Sequence, residues 1–228
     1  MSTAQARALA APGSFFDEYI GKKVVMAVSG LALLGFATGH MLGNLQVFLG
    51  PEVLNAYGEL LQSNPLLLWG TRTVVLVSIF LHVWSAVQLT AAKRAARPVA
   101  YSKWTAKDST YASRTMMWSG PILAAYIVYH ILHMTLGSVH PDFEPGNVYQ
   151  NLVIGLSNPI VAMAYIVSMV MLGMHLRHGI WSMFQSIGFS HPKHTPRLKA
   201  LAGVVAVAIV IGYISIPVAV LTGIIGLD

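Results

Sequence analysis

The stretch "SGPILAAYIVYHILHM", residues 119–134, is apolar enough to cross a membrane, yet it carries two histidines. A second stretch, "SGLALLGFATGH" at residues 29–40, also begins Ser-Gly and also places a histidine ten residues after its glycine. The apolar runs decide the fold class, and the histidines inside them pose the functional question.

Working outward, the 228 residues are 55% hydrophobic and only 10% charged, against roughly 25% charged residues in soluble domains. Mean hydropathy is +0.64. Five segments reach the length of about 20 apolar residues that a hydrocarbon core demands: 24–45, 66–92, 116–139, 159–184 and 198–227. They are too long for barrel strands, and a helix satisfies its own backbone groups in lipid. The sequence predicts an all-α membrane protein, a five-transmembrane-helix bundle. Residues 1–23 are expected to form a cytoplasmic N-terminal leader and 24–228 a single five-helix transmembrane domain.

Lysine and arginine set the expected orientation. Arg7, Lys22 and Lys23 precede the first span. Lys93, Arg94, Arg97, Lys103, Lys107 and Arg114 lie between the second and third, and Lys193, Arg197 and Lys199 between the fourth and fifth. The other two connections carry only acidic charge, Glu52 and Glu59 in one and Asp142 and Glu144 in the other. Positive residues stay inside, so the N-terminus is predicted to be cytoplasmic and the C-terminus outside. The net charge of +6 is thereby accounted for by topology and gives no case for nucleic-acid binding. Residues 1–23 lack an apolar core before a cleavage site, so the first span itself is expected to direct insertion.

The chain has no cysteine. That excludes disulfides, thiolate metal sites, iron–sulfur ligation and covalent haem attachment. No dinucleotide fingerprint or P-loop is present.

The second span opens "SNPLLLWG" at Ser63 and reaches His82 seventeen residues after Pro65; the fourth opens "SNPIVAMA" at Ser157 and reaches His175 sixteen residues after Pro159. Spans one and two therefore look like spans three and four, an internal two-helix duplication whose halves share one orientation. With a rise of about 1.5 Å per residue, each of His40, His82, His130 and His175 lies roughly 21 to 25 Å along its helix. Direction alternates, so His40 and His130 are expected near the outer surface and His82 and His175 near the cytoplasmic one. Two imidazoles facing each other across an apolar gap match bis-histidine ligation of haem. Such six-coordinate centres move electrons and leave no vacancy for substrate.

Other readings compete. A neutral histidine inside a span can simply hydrogen-bond a neighbouring helix, although four at paired heights favour ligation. His133 and His178 lie three residues after His130 and His175 on nearly the same helical face. The repeat does not reproduce them, and they are read as cofactor neighbours. An H-x-x-H transporter site for zinc or iron lacks the carboxylates that usually complete one. His140, His191 and His194 fall at span ends or in loops and are expected to be solvated.

The arrangement resembles the cytochrome b membrane-anchor subunit of succinate:quinone oxidoreductases, the five-helix, two-haem type of bacterial succinate dehydrogenases and fumarate reductases. The resemblance runs from Gly21 to the C-terminus and is closest in "MHLRHGIWS", residues 174–182. It implies two b haems, a distal one held by His40 and His130 and a proximal one by His82 and His175. It implies a flavoprotein and an iron–sulfur subunit docked at the cytoplasmic face of a bacterial plasma membrane. Electrons from succinate would reach a membrane quinone, menaquinone or ubiquinone, with fumarate reduction as the reverse path. The chain would not itself act on succinate, and the complex could assemble into a higher oligomer.

Further site residues follow from chemistry. Haem propionates need donors near the polar boundary, and Lys22, Lys23, Ser29 and His178 are candidates, as is Arg72 at the other end of the second span. Gly30, Gly35 and Gly39 would admit a porphyrin or a second helix closely. Glu59, on an expected short interfacial helix, is the candidate for proton exchange with quinone. Three other readings remain: a dihaem quinol-oxidising subunit of another respiratory complex, a haem-free metal or proton transporter, and a haem-free structural anchor.

Overall fold

The computed structural model describes residues 18–96 and 111–227. Residues 1–17 of the expected leader, with Arg7, lie outside the described residues, as do Arg97, Lys103 and Lys107 of the second connection.

Five long helices carry the chain back and forth. They are α1 (Tyr19–Asn44), α3 (Pro65–Ala95), α4 (Tyr111–His130), α6 (Pro159–Ser186) and α7 (Thr195–Leu221). Each is long and apolar enough to cross a membrane, as the sequence predicts, and the protein is a multi-pass membrane protein. Large apolar side chains such as Leu66, Phe80, Ile160 and Val204 stand exposed on them, which is the disposition of a surface solvated by lipid.

Two short helices sit between spans at one end of the bundle. After α1, a 3-10 turn (Leu45–Leu49) runs into Gly50, whose φ of 100° places it where a side chain would be strained. Pro51 then starts α2 (Pro51–Ser63). This is the interfacial helix expected around Glu59. The second, α5 (Val148–Ser157), was not foreseen, because its ten residues show no long apolar run. α2 and α5 are stitched together: Asn55 Nδ2 donates to Asn147 Oδ1 at 3.2 Å and Asn55 Oδ1 accepts from the Tyr149 amide at 2.9 Å.

Both short helices hand over to a span through the tripeptide Ser-Asn-Pro. The Asn64 side chain accepts from the Leu67 amide and the Asn158 side chain from the Ile160 amide, while Pro65 and Pro159 take the first helical turn. Asparagine satisfies an otherwise unpaired N–H, and proline has none to leave unpaired.

Two spans end sooner than hydropathy suggests. The third was expected to run to Val139, but α4 passes at His130 into a π turn (Ile131–Thr135) and Gly137 turns the chain with φ of 69°. The fifth was expected to reach Leu227 but stops at Leu221. In both cases apolar residues continue past a left-handed glycine, so hydropathy persists where the helix does not.

Small residues let the spans approach. Ala162 of α6 and Ala202 of α7 are fully buried, with Ala206 nearly so, the pattern by which membrane helices pack without a hydrophobic driving force. The Tyr213 hydroxyl donates to the Ala37 carbonyl at 2.7 Å and ties α7 to α1.

One end of the bundle carries Lys22, Lys23, Lys93, Arg94, Arg114, Lys193, Arg197 and Lys199, and the other carries Glu52, Glu59, Asp142 and Glu144. They are called the basic end and the acidic end below.

Candidate functional site: two levels of facing histidines

Histidines from four different spans meet in pairs. Near the basic end, His82 of α3 faces His175 of α6 with ring centres 6.1 Å apart and planes at 57°. Near the acidic end, His40 of α1 faces His130 of α4 at 5.8 Å and 76°. An imidazole bonds a transition-metal ion at about 2 Å and its ring centre lies about 1 Å further on, so two rings sharing one ion sit about 6 Å apart. Both pairs have that spacing.

The basic-end pair is held from behind. Ser29 Oγ lies 3.3 Å from His82 Nδ1, and Ser119 Oγ lies 3.3 Å from His175 Nδ1. Both serines are buried, at 3% and 0% exposure, so no water competes for the contacts. One turn beyond His82, Ser85 is fully buried and its hydroxyl has no hydrogen-bond partner among the described residues.

The acidic-end pair sits in aromatic surroundings instead. Phe36 stacks on His40 at 5.4 Å and Tyr126 on His130 at 5.7 Å. Tyr165 Oη is 3.4 Å from His130 Nδ1 and 2.9 Å from His133 Nδ1. His40 Nε2 accepts from Asn44 Nδ2 at 3.2 Å, a bond that metal ligation through that nitrogen would replace.

His133 reaches the same Tyr165 as His130 but lies inside the π turn that follows it. The π turn begins at Ile131, closed by the Leu136 amide donating to the Ile131 carbonyl at 2.9 Å. This wider turn rotates residues beyond it relative to an α-helix. His133 is 1% exposed; it stacks on His140 at 5.0 Å and packs on Gly155, where a Cβ would come within 2.9 Å of its ring. His140 was expected to be solvated. It is half-buried, with Nε2 donating to the Asn151 carbonyl at 2.8 Å. His191 and His194 are exposed, as expected.

The remaining candidates are spread more widely. Lys22 is half-buried and lies two turns before Ser29 on the same helix face, whereas Lys23 is exposed, over the Tyr19 ring at 4.8 Å. Arg72 is exposed and stacks over Trp69 at 5.0 Å. His178 is half-buried one turn beyond His175. Glu59 is exposed on α2; a groove at the acidic end is lined by Gln46, Glu52 and Tyr57 among others, and Glu59 is not one of them. A Cβ on Gly30 would meet the His82 ring at 3.3 Å, while at Gly35 and Gly39 it would meet nothing within 4 Å. Close helix packing therefore does not explain those two glycines.

Four features escaped the sequence reading: the Ser119–His175 contact, the buried Ser85, the Tyr165 bridge and the His133–His140 stack. Only Ser119 carried a signal, as the counterpart of Ser29 in the repeated Ser-Gly.

Comparison with known families agrees with this architecture. The sequence model of the succinate dehydrogenase/fumarate reductase transmembrane subunit matches residues 90–214, a stretch that contains His130 and His175, one member of each pair. No curated protein and no solved structure matches the chain. With more than half of its length matched on a bundle of five membrane spans, the chain belongs to the succinate dehydrogenase/fumarate reductase transmembrane-subunit family and is a membrane-anchor subunit of that class of complex.

Proposed function

We propose that this anchor also conducts electrons, from a flavoprotein and iron–sulfur partner at the basic end, through two b haems, to a membrane quinone at the acidic end. The observation that carries the reading is the pair of facing histidine couples at 6.1 and 5.8 Å, each joining spans from the two halves of the chain. In this reading His82 and His175 hold one haem and His40 and His130 the other. Bound there, a haem would supply a one-electron ferric/ferrous couple.

The chain's own residues set where that chemistry sits. Ser29 is level with His82 and lies eleven residues before His40, and Ser119 is level with His175 and lies eleven residues before His130. Both helices thus separate the two levels by about 16 Å of helix rise. His178 and Lys22 offer donors to propionates near the basic end. Arg72 points to interfacial anchoring, and His133 to holding Tyr165. Proton exchange with quinone belongs to the carboxylates of α2: Glu59 by its exposure, and Glu52 by its place in the groove.

The proposed orientation puts the basic end in the cytoplasm of a bacterial cell, with the partner subunits docked there. The matching roles of Ser29 and Ser119, and of Asn64 and Asn158, support the proposed duplication.

The test is a dithionite-reduced minus oxidised spectrum of the protein purified from its native membrane, with haem counted by pyridine haemochrome. Two low-spin b haems per chain are expected. Absence of haem would overturn the reading and return the four histidines to packing or transport.

A further inference from the structure

Ser29 and Ser119 do the same thing in two places, and neither contact is needed to close a helix. The Ser29 hydroxyl donates its single proton to the Val25 carbonyl at 2.7 Å, with the Met26 carbonyl at 3.2 Å. Its oxygen is then left to accept, and the group 3.3 Å away is His82 Nδ1. The His82 ring also hydrogen-bonds the Met26 carbonyl, which lies 3.2 Å from the same Ser29 oxygen; two acceptors beside the ring place its proton on Nδ1 and leave Nε2 to bond a metal. Ser119 repeats the geometry, with the Met116 carbonyl at 3.5 Å on one side and His175 Nδ1 at 3.3 Å on the other. Each serine reaches from the first span of its half to the histidine of the second. Gly30, beside Ser29, leaves room for the ring: a Cβ there would press on His82 Cε1 at 3.3 Å.

The acidic-end pair has no serine behind it. His40 is bonded at Nε2 by Asn44, and His130 has the Tyr165 hydroxyl at 3.4 Å. A hydrogen bond donated from Nδ1 fixes tautomer and ring orientation and strengthens an imidazole as a ligand through its other nitrogen.

We infer that Ser29 and Ser119 are paired positioning residues that hold His82 and His175 in the Nδ1-protonated tautomer and strengthen both as ligands, lowering the midpoint potential of the haem between them. This rests on the haem reading above. A stronger donor favours the ferric ion over the ferrous one, so losing either hydroxyl raises that potential.

The experiment is a spectroelectrochemical titration of the purified native complex carrying Ser29→Ala, Ser119→Ala or both, with haem counted per chain. The His82→Ala protein, which keeps only the acidic-end haem, identifies which potential belongs to which level. The expected result is two haems per chain, an upward shift of the basic-end potential in each single variant, a larger shift in the double variant and no movement of the acidic-end potential. Selective loss of the basic-end haem reads the same way. Loss of both haems would mark a folding failure, and Ser29→Thr then decides: it keeps a hydroxyl and is expected to retain the parental potential. Two bound haems with unmoved potentials would overturn this inference alone, whereas no haem in the unsubstituted protein would overturn the haem reading and this inference with it.

Discussion

The two histidine levels share a spacing but not a setting. At the basic end both rings have Nδ1 against a buried serine, and the His82 ring also bonds the Met26 carbonyl. At the acidic end His40 has its Nε2 on Asn44, and His130 leans on a tyrosine that is closer to His133. In the haem reading proposed above, the basic-end rings are oriented through Nδ1 before a metal arrives, while His40 must give up its Nε2 hydrogen bond to receive one. Preorganisation lowers the cost of binding. The lesson is that equal separation of two rings does not make two equal sites.

The sharpest way to break the comparison is to delete one level at a time. His82→Ala or His175→Ala is expected to halve the haem per chain and leave the acidic-end haem in place, and His40→Ala or His130→Ala the converse. His133→Ala and His178→Ala are expected to keep both haems. A haemochrome count across these six variants checks it, and loss of a haem from His133→Ala with His130→Ala unaffected would reverse the assignment at that level.

A smaller effect follows from preorganisation. When haem is partly depleted and titrated back into detergent-purified protein, the basic-end level is expected to fill first. Asn44→Ala is expected to narrow the gap between the two affinities, since it frees His40 Nε2; equal filling in the parental protein would remove the distinction drawn above.

Tyr165→Phe tests the acidic end alone. It removes the hydroxyl at 2.9 Å from His133, which is 1% exposed, and an unsatisfied buried polar group costs about 1–3 kcal/mol. Thermal unfolding should register that loss, and the basic-end haem potential should not move. The smallest expected effect is shared by both halves: Asn64→Ala and Asn158→Ala each remove one N-cap bond, worth about 1 kcal/mol, and denaturant titration should give two similar shifts.

Much of the architecture was legible in the residues. Five apolar runs became five spans, and Ser-Asn-Pro twice became a capped helix start, because length, hydropathy and capping are properties of a local stretch. The failures were also local in origin. Hydropathy carried the third span to Val139, although Gly137 turns the chain before it, and a ten-residue helix at 148–157 gave no periodic signal strong enough to register.

Of the candidate site, the four central histidines were chosen from the internal repeat and the heights it implies. Their heights could be estimated because rise per residue is nearly constant in a helix. Their rotations could not: His130 and His133 were indistinguishable by face until a π turn, which no single residue announces, swung His133 onto Tyr165 and His140. His140, placed by sequence in water, is held under the Asn151 carbonyl by a loop that folds back.

The sequence by itself thus determined a five-span anchor with histidines at two heights, since membrane insertion responds to the apolar content and charge of consecutive residues. What the residues did not announce, and the packing of the helices settled, is that Ser29 and Ser119 back one pair and that Asn44 engages the other. Those contacts depend on how helices far apart in the chain are rotated against one another, and that rotation is set by packing between them.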